Sequence, residues 1–151
     1  MRHQDTDYIV PNEIGKPGIL IFHQQSQSPL VLAQMLQEQG HGVEIYDPFY
    51  APETQVLQGH YDFVTCTEVV EHFRQPYNEF RRLFSLLKPD GFLALMTKLV
   101  IDAEAFSRWH YKNDMTHVSF YSEPTLRWLA ELYHCHLEII GKDVIIFHKR
   151  A

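Results

Sequence analysis

Only two cysteines, Cys66 and Cys135, occur in 151 residues, and they lie far apart. Neither a disulfide framework nor a CxxC redox pair can be built from them, so a reducing compartment is expected. Cations are scarce too: 13 Lys and Arg against 19 Asp and Glu leave a formal charge of −6. Such a surface repels a phosphate backbone unless its basic residues cluster, and only Arg81, Arg82 and Lys88 approach a patch. Nucleic acid is therefore not expected as a partner. No apolar run nears the roughly 20 residues that span a bilayer. The polar start MRHQDTDYIVPNEIGKPG holds no apolar signal core, so no membrane span and a cytoplasmic location are the expectations. Internal repeats and low-complexity tracts are absent as well.

What remains is an ordinary globular composition, 45% hydrophobic and 21% charged. The length suits one domain with a real core. Residues 1–18 read as a polar lead-in broken by Pro11, Gly15, Pro17 and Gly18, and 19–151 as a single domain. GILIFH, from Gly18 to His23, predicts a strand buried on both faces. Leu32, Met35 and Leu36 predict a helix over 30–39 stopped by Gly40. Val43 to Tyr46 is a second strand closed by Asp47-Pro48, and Phe63 to Cys66 a third. Phe80, Leu83, Phe84 and Leu87 stripe a helix over 77–88, with Pro76 in its first turn. Pro89-Asp90-Gly91 turns the chain into the strand FLALM. A loop rich in aromatics and His runs from Lys98 to Tyr121. Ser122 can cap a helix carrying Leu126, Leu129 and Tyr133. LEIIGKDVIIFHK closes the chain as two strands about Gly141-Lys142. Alternating strands and amphipathic helices predict a three-layer, doubly wound, mostly parallel α/β sheet with an antiparallel C-terminal hairpin.

The run YDFVTCTEVVEHF, followed by a helix and LLKPDGFLALMT, resembles the segment after the fourth strand of class I S-adenosylmethionine-dependent methyltransferases, a Rossmann-like family. KNDMTHVSFYSEPTLRWL resembles the loop and helix before that family's last two strands. The resemblance covers roughly Leu30 to the C-terminus and implies S-adenosylmethionine as cofactor and a small-molecule methyl acceptor. It assigns Asp47 to the ribose hydroxyls, a role a carboxylate at a strand's carboxyl edge can fill by accepting two hydrogen bonds. Thr65, Cys66 and Thr67 fall on the edge that lines the cofactor. The glycine turn departs from the pattern. FHQQSQSP stands where an acidic residue and a GxGxG spacing belong, with His23 near the acidic position and Gln25, Gln27 and Pro29 near the glycines. Nothing there takes positive φ cheaply.

Glu68, Glu71 and His72 are the chemistry-bearing triplet. On a helix beginning after Thr67, residues spaced i, i+3 and i+4 share a face and can hold Mg²⁺ or Zn²⁺. EVVEH resembles quinone-precursor O-methyltransferases, which use this triplet for a divalent metal. The structural alternative is a helix start in which Glu68 meets the dipole and His72 packs on the sheet. His117, on the late loop among Trp109, His110, Tyr111, Phe120 and Tyr121, is a candidate general base, as is His72. The cofactor set is thus His23, Gln25, Asp47, Cys66 and Thr67. Two other functions stay open: a methyltransferase-fold module that has lost its cofactor, and a metal-dependent hydrolase on Glu68, Glu71 and His72. The methyl acceptor and oligomeric state are not readable.

Overall fold

The computed structural model describes residues 18–24 and 29–151. Most of the polar lead-in, and Gln25 with the rest of its turn, lie outside them. Six strands form one sheet in the order β2-β1-β3-β4-β8-β7, where β1 is Ile19–Phe22, β2 Val43–Tyr46, β3 Tyr61–Thr67, β4 Leu87–Met96, β7 Cys135–Ile140 and β8 Val144–Lys149. The first four are parallel, and β8 runs antiparallel to both β4 and β7. The predicted doubly wound sheet with its terminal hairpin is what the chain forms.

Side-chain alternation along these strands decides the core. Leu20, Val64, Leu93 and Phe147 lie in register across β1, β3, β4 and β8, and all four are fully buried. Onto that row pack two helices, α2 (Pro76–Ser85) and α4 (Glu123–Leu132). Phe80, Leu83 and Phe84 make the buried stripe of α2, and Phe84 stacks on Tyr133 at the end of α4 with ring centroids 4.1 Å apart. Pro76 sits in the first turn of α2, where a missing N–H costs nothing. Ser122 caps α4 by accepting from the Thr125 amide, as its position predicts. α1 (Leu30–Glu38) joins β1 to β2, and its buried Ala33 lies outside the core cluster that α2 and α4 share.

Three local expectations are corrected. Met35 is 55% exposed, and Ala33 is what α1 buries instead. The α2 stripe ends before Leu87, which already belongs to β4. Gly91 follows Asp90, which has φ +63°, and a Cβ at Gly91 would stand 2.8 Å from the Lys88 carbonyl oxygen. That close approach fixes glycine there. The Lys98–Tyr121 stretch is more ordered than a loop: it holds β5 (Leu99–Val100), α3 (Ala103–Ser107) and a 3-10 turn over His110–Asn113, and β5 pairs with β6 (Tyr121–Ser122). Among the described residues no helix is long and apolar enough to cross a membrane.

Candidate active site

β3 delivers Thr67 and Glu68 to the carboxyl edge of the sheet, and the chain then turns rather than starting an α-helix. Glu68 adopts φ +53°, and its amide donates to the Met96 carbonyl. Val69 and Val70 drop into the core, fully buried, and Val70–His72 makes one 3-10 turn. Burying two valines side by side overrides the helical spacing, so Glu68, Glu71 and His72 do not line one helix face. Glu71 points inward instead, 1% exposed.

The late loop closes over this turn. Val118 and Ser119 amides donate to the Glu71 carbonyl at 2.9 and 3.1 Å, and the Tyr121 hydroxyl donates to the Val70 carbonyl at 2.7 Å. The loop's own shape comes from Phe106, Trp109, Tyr111 and Phe120, whose rings pack on one another. His117 is thereby brought to His72, with ring centroids 5.0 Å apart. Glu71, His72 and His117 offer ligand atoms within 4.8 Å of one another. His117 joins this group, and Glu68 of the expected triplet is not part of it.

Each imidazole is oriented by a backbone carbonyl. His72 Nδ1 donates to the Thr116 carbonyl at 2.9 Å, and His117 Nδ1 to the Tyr111 carbonyl at 2.7 Å. An Nδ1–H so engaged leaves the Nε2 lone pair as the ring's basic and ligating position. His117 Nε2 also lies 3.5 Å from Asp114. Thr116's amide and hydroxyl bind Asp114 and hold its carboxyl below the usual value.

The carboxylates are less settled. Both Glu71 oxygens are buried without a well-formed hydrogen bond. Glu68, Tyr111, His72 and His117 stand around them, and Glu68 donates only when protonated. Burial first, then the hydrogen bond and charge of Glu71, push the Glu68 carboxyl up to about 7, against the opposing pull of the Tyr111 hydroxyl and His117. Tyr111 links the cluster to β4, its hydroxyl 3.3 Å from Glu68 and 3.1 Å from Thr97. Burial raises the Tyr111 hydroxyl above its ordinary value. Thr97, directly after the FLALM strand, was findable as a carboxyl-edge residue; the role of Tyr111 carried no sequence signal.

The β1–β2 side behaves differently. Asp47 is fully buried, and its Oδ2 accepts from His23 Nδ1 at 2.8 Å. Its Oδ1 accepts from the Phe49 and Tyr50 amides at 2.7 and 3.2 Å. Burial works to raise its pKa, but the bonds from His23, Phe49 and Tyr50 outweigh that and lower it. Both oxygens of the expected ribose-binding carboxylate are thus engaged within the chain, Oδ2 by His23 and Oδ1 by the two amides. Cys66 is corrected too: its thiol is fully buried in the core, where burial and then Glu71 and Glu79 push its pKa up. Thr67 is exposed at the edge as expected, and Gln25 lies outside the described residues. His134, Cys135 and His136 do not form a group that could hold a metal ion.

Solved structures share this architecture. One is the 1,6-didemethyltoxoflavin-N1-methyltransferase of Burkholderia thailandensis, bound to 1,6-didemethyltoxoflavin and S-adenosylhomocysteine: TM-score 0.61, 16% identity, covering 91% of this chain and 73% of that one. An O-methyltransferase family protein from the same organism aligns at TM-score 0.58 and 12% identity, covering 89% of this chain and 51% of that one. The mitomycin 7-O-methyltransferase MmcR aligns at TM-score 0.55 and 14% identity, covering 89% and 49%. The chain thus spans about half the length of the last two. No curated protein sequence matches it significantly. A sequence profile of the methyltransferase domain matches residues 13–137, and the chain belongs to this family of S-adenosylmethionine-dependent methyltransferases.

Proposed function

We propose that the protein transfers a methyl group from S-adenosylmethionine to a small-molecule acceptor held at the carboxyl edge of β3 and β4. One observation carries the reading: two imidazoles held at Nδ1 by backbone carbonyls and an unpartnered buried carboxylate converge at the end of β3. A fold alone would not need such a cluster, and a buried carboxylate without a donor is costly unless function uses it. The relative that holds 1,6-didemethyltoxoflavin supports a small acceptor.

His117 or His72 takes the acceptor's proton at Nε2, and Glu71 stabilises the imidazolium that results. The cofactor supplies the electrophilic methyl; Thr67 and an Asp47 released from His23 are the residues proposed to hold it. The rest of the work is alignment and exclusion of water, for which the closed aromatic loop is suited. Glu71, His72 and His117 also fit a divalent metal, because the orphaned carboxylate needs a cation and each ring has a nitrogen within reach of it. Two nitrogens and one carboxylate favour Zn²⁺ over Mg²⁺. Such an ion would polarise an acceptor oxygen.

A second reading, a binding module without catalysis, is favoured by the buried Asp47–His23 contact. Calorimetry with S-adenosylhomocysteine separates the two: heat with a saturable curve is expected, and none at millimolar ligand sinks the enzyme reading. For the metal, equilibrium dialysis against zinc should load wild type and fail with Glu71→Gln and His117→Ala. Equal loading of all three would remove the metal from the proposal.

A further inference from the structure

A cavity of about 850 Å³ opens beyond the carboxyl end of β4, with Lys98, Leu99, Trp109, Ile139 and Lys142 in its wall. It sits between the end of β4 and the tip of the β7–β8 hairpin, which the Thr97 amide joins by donating to the Asp143 carbonyl at 3.0 Å. Its volume suits a small organic ligand. Trp109 stands in its wall and packs on Tyr111 with ring centroids 4.9 Å apart, so cavity and acid–imidazole cluster share one partition. The sheet order places Asp47 on β2's side of β3 and this cavity on β4's side. A methyl donor and a methyl acceptor have to meet from two such flanks.

The lining names the ligand class. Leu99, Val100 and Ile139 give an apolar surface that would leave the hydroxyls of a sugar unmatched. Of the cations on the rim, Arg127 is tied to Glu123 by a short ion pair. Among the described residues Lys98 and Lys142 form no ion pair, so with Glu123 committed to Arg127 they face Asp143 on the rim. Lys98 Nζ lies 5.5 Å over the Tyr111 ring, at the partition itself. We propose that this cavity takes the methyl acceptor, and that the acceptor is an apolar molecule bearing one carboxylate or phosphate. The apolar body lies along Leu99, Trp109 and Ile139, and the anion meets Lys98 and Lys142. This rests on the methyl-transfer reading for the word acceptor, but not for the binding chemistry.

The chain has two tryptophans, so a Trp128→Phe background leaves Trp109 as the sole emitter. Four non-absorbing probes of one length are titrated: octanoate, octyl phosphate, 1-octanol and octylamine. Octanoate or octyl phosphate should perturb Trp109 emission at least about tenfold more tightly than the alcohol or the amine. The tighter of the two anions identifies the head group. Lys98→Gln with Lys142→Gln should erase the preference while leaving octanol binding unchanged. Equal binding of acid and alcohol, or a preference that survives the double variant, overturns the proposal. S-adenosylhomocysteine heat without anion preference sinks this proposal alone. Anion preference without that heat sinks only the methyl-transfer reading.

Discussion

Asp47 and Glu71 are both carboxylates buried at the carboxyl edge of one sheet, one after β2 and the other after β3. Asp47 is saturated, with His23 on one oxygen and two backbone amides on the other. Glu71 has no such donor, although two imidazoles stand beside it. A satisfied buried carboxylate holds local structure together; an unsatisfied one stores a cost that only a proton, a metal or a ligand relieves. The β3 flank therefore looks built for chemistry. On the β2 flank the acid is bonded within the chain at both oxygens.

The largest effect tests whether that β3 flank depends on its packing. Phe80 is 2% exposed and meets Phe73 and Tyr121 edge-on, at 5.8 and 5.6 Å, directly beneath the turn and the loop that close on it. Phe80→Ala should cost about 3–5 kcal/mol in urea unfolding and loosen the His72–His117 pair. Met35→Ala on the bare side of α1 should stay within about 0.5 kcal/mol. Similar losses would mean that both flanks are equally consolidated, and the contrast would fail.

A smaller change sharpens the β2 side. His23→Ala removes the donor on Asp47 Oδ2 and uncovers the carboxylate. Stability should fall by about 1–3 kcal/mol, since a buried acceptor loses its partner. S-adenosylhomocysteine should bind more tightly to this variant than to wild type in the same calorimeter. If affinity drops instead, His23 belongs to the cofactor site and is not a cover over it.

Much of this was legible and some was not, for reasons specific residues make clear. The strands, α2, α4 and the hairpin follow from apolar period and turn chemistry, signals that live within about ten residues. Cys66 departs from expectation because a strand's carboxyl edge is not one surface. Alternation sends Cys66 to the core and leaves Thr67 at the rim. The EVVEH helix was misread because spacing counts positions and not burial: Val69 and Val70 compete for the core and force the turn at Glu68. His117 was chosen for its chemistry alone. Its meeting with Glu71 depends on loop bonds to residues more than 40 positions back, such as Val118 to Glu71 and Ser119 to Phe73. No local pattern encodes contacts of that range.

The smallest expected effect is a pH signature, and its sign differs between the flanks. Glu68, raised to about 7 by burial and then by Glu71, holds its proton more firmly folded than unfolded, where a glutamate titrates near 4.3. Its contribution is therefore fully present below about pH 4.3 and is lost as pH rises toward 7. Asp47, lowered by His23 and two amides despite its burial, contributes above its unfolded value and loses that as pH falls through the folded one. A melting-temperature profile from pH 3 to 8 should thus climb at its acid end and sag between about 4.5 and 7. Glu68→Gln should remove the sag and leave the acid limb, because a neutral amide still donates to Glu71 at every pH. His23→Ala should weaken the acid limb and leave the sag. A profile in which either variant flattens both limbs would show one coupled network across the edge, and Asp47 and Glu71 would no longer be two separate cases.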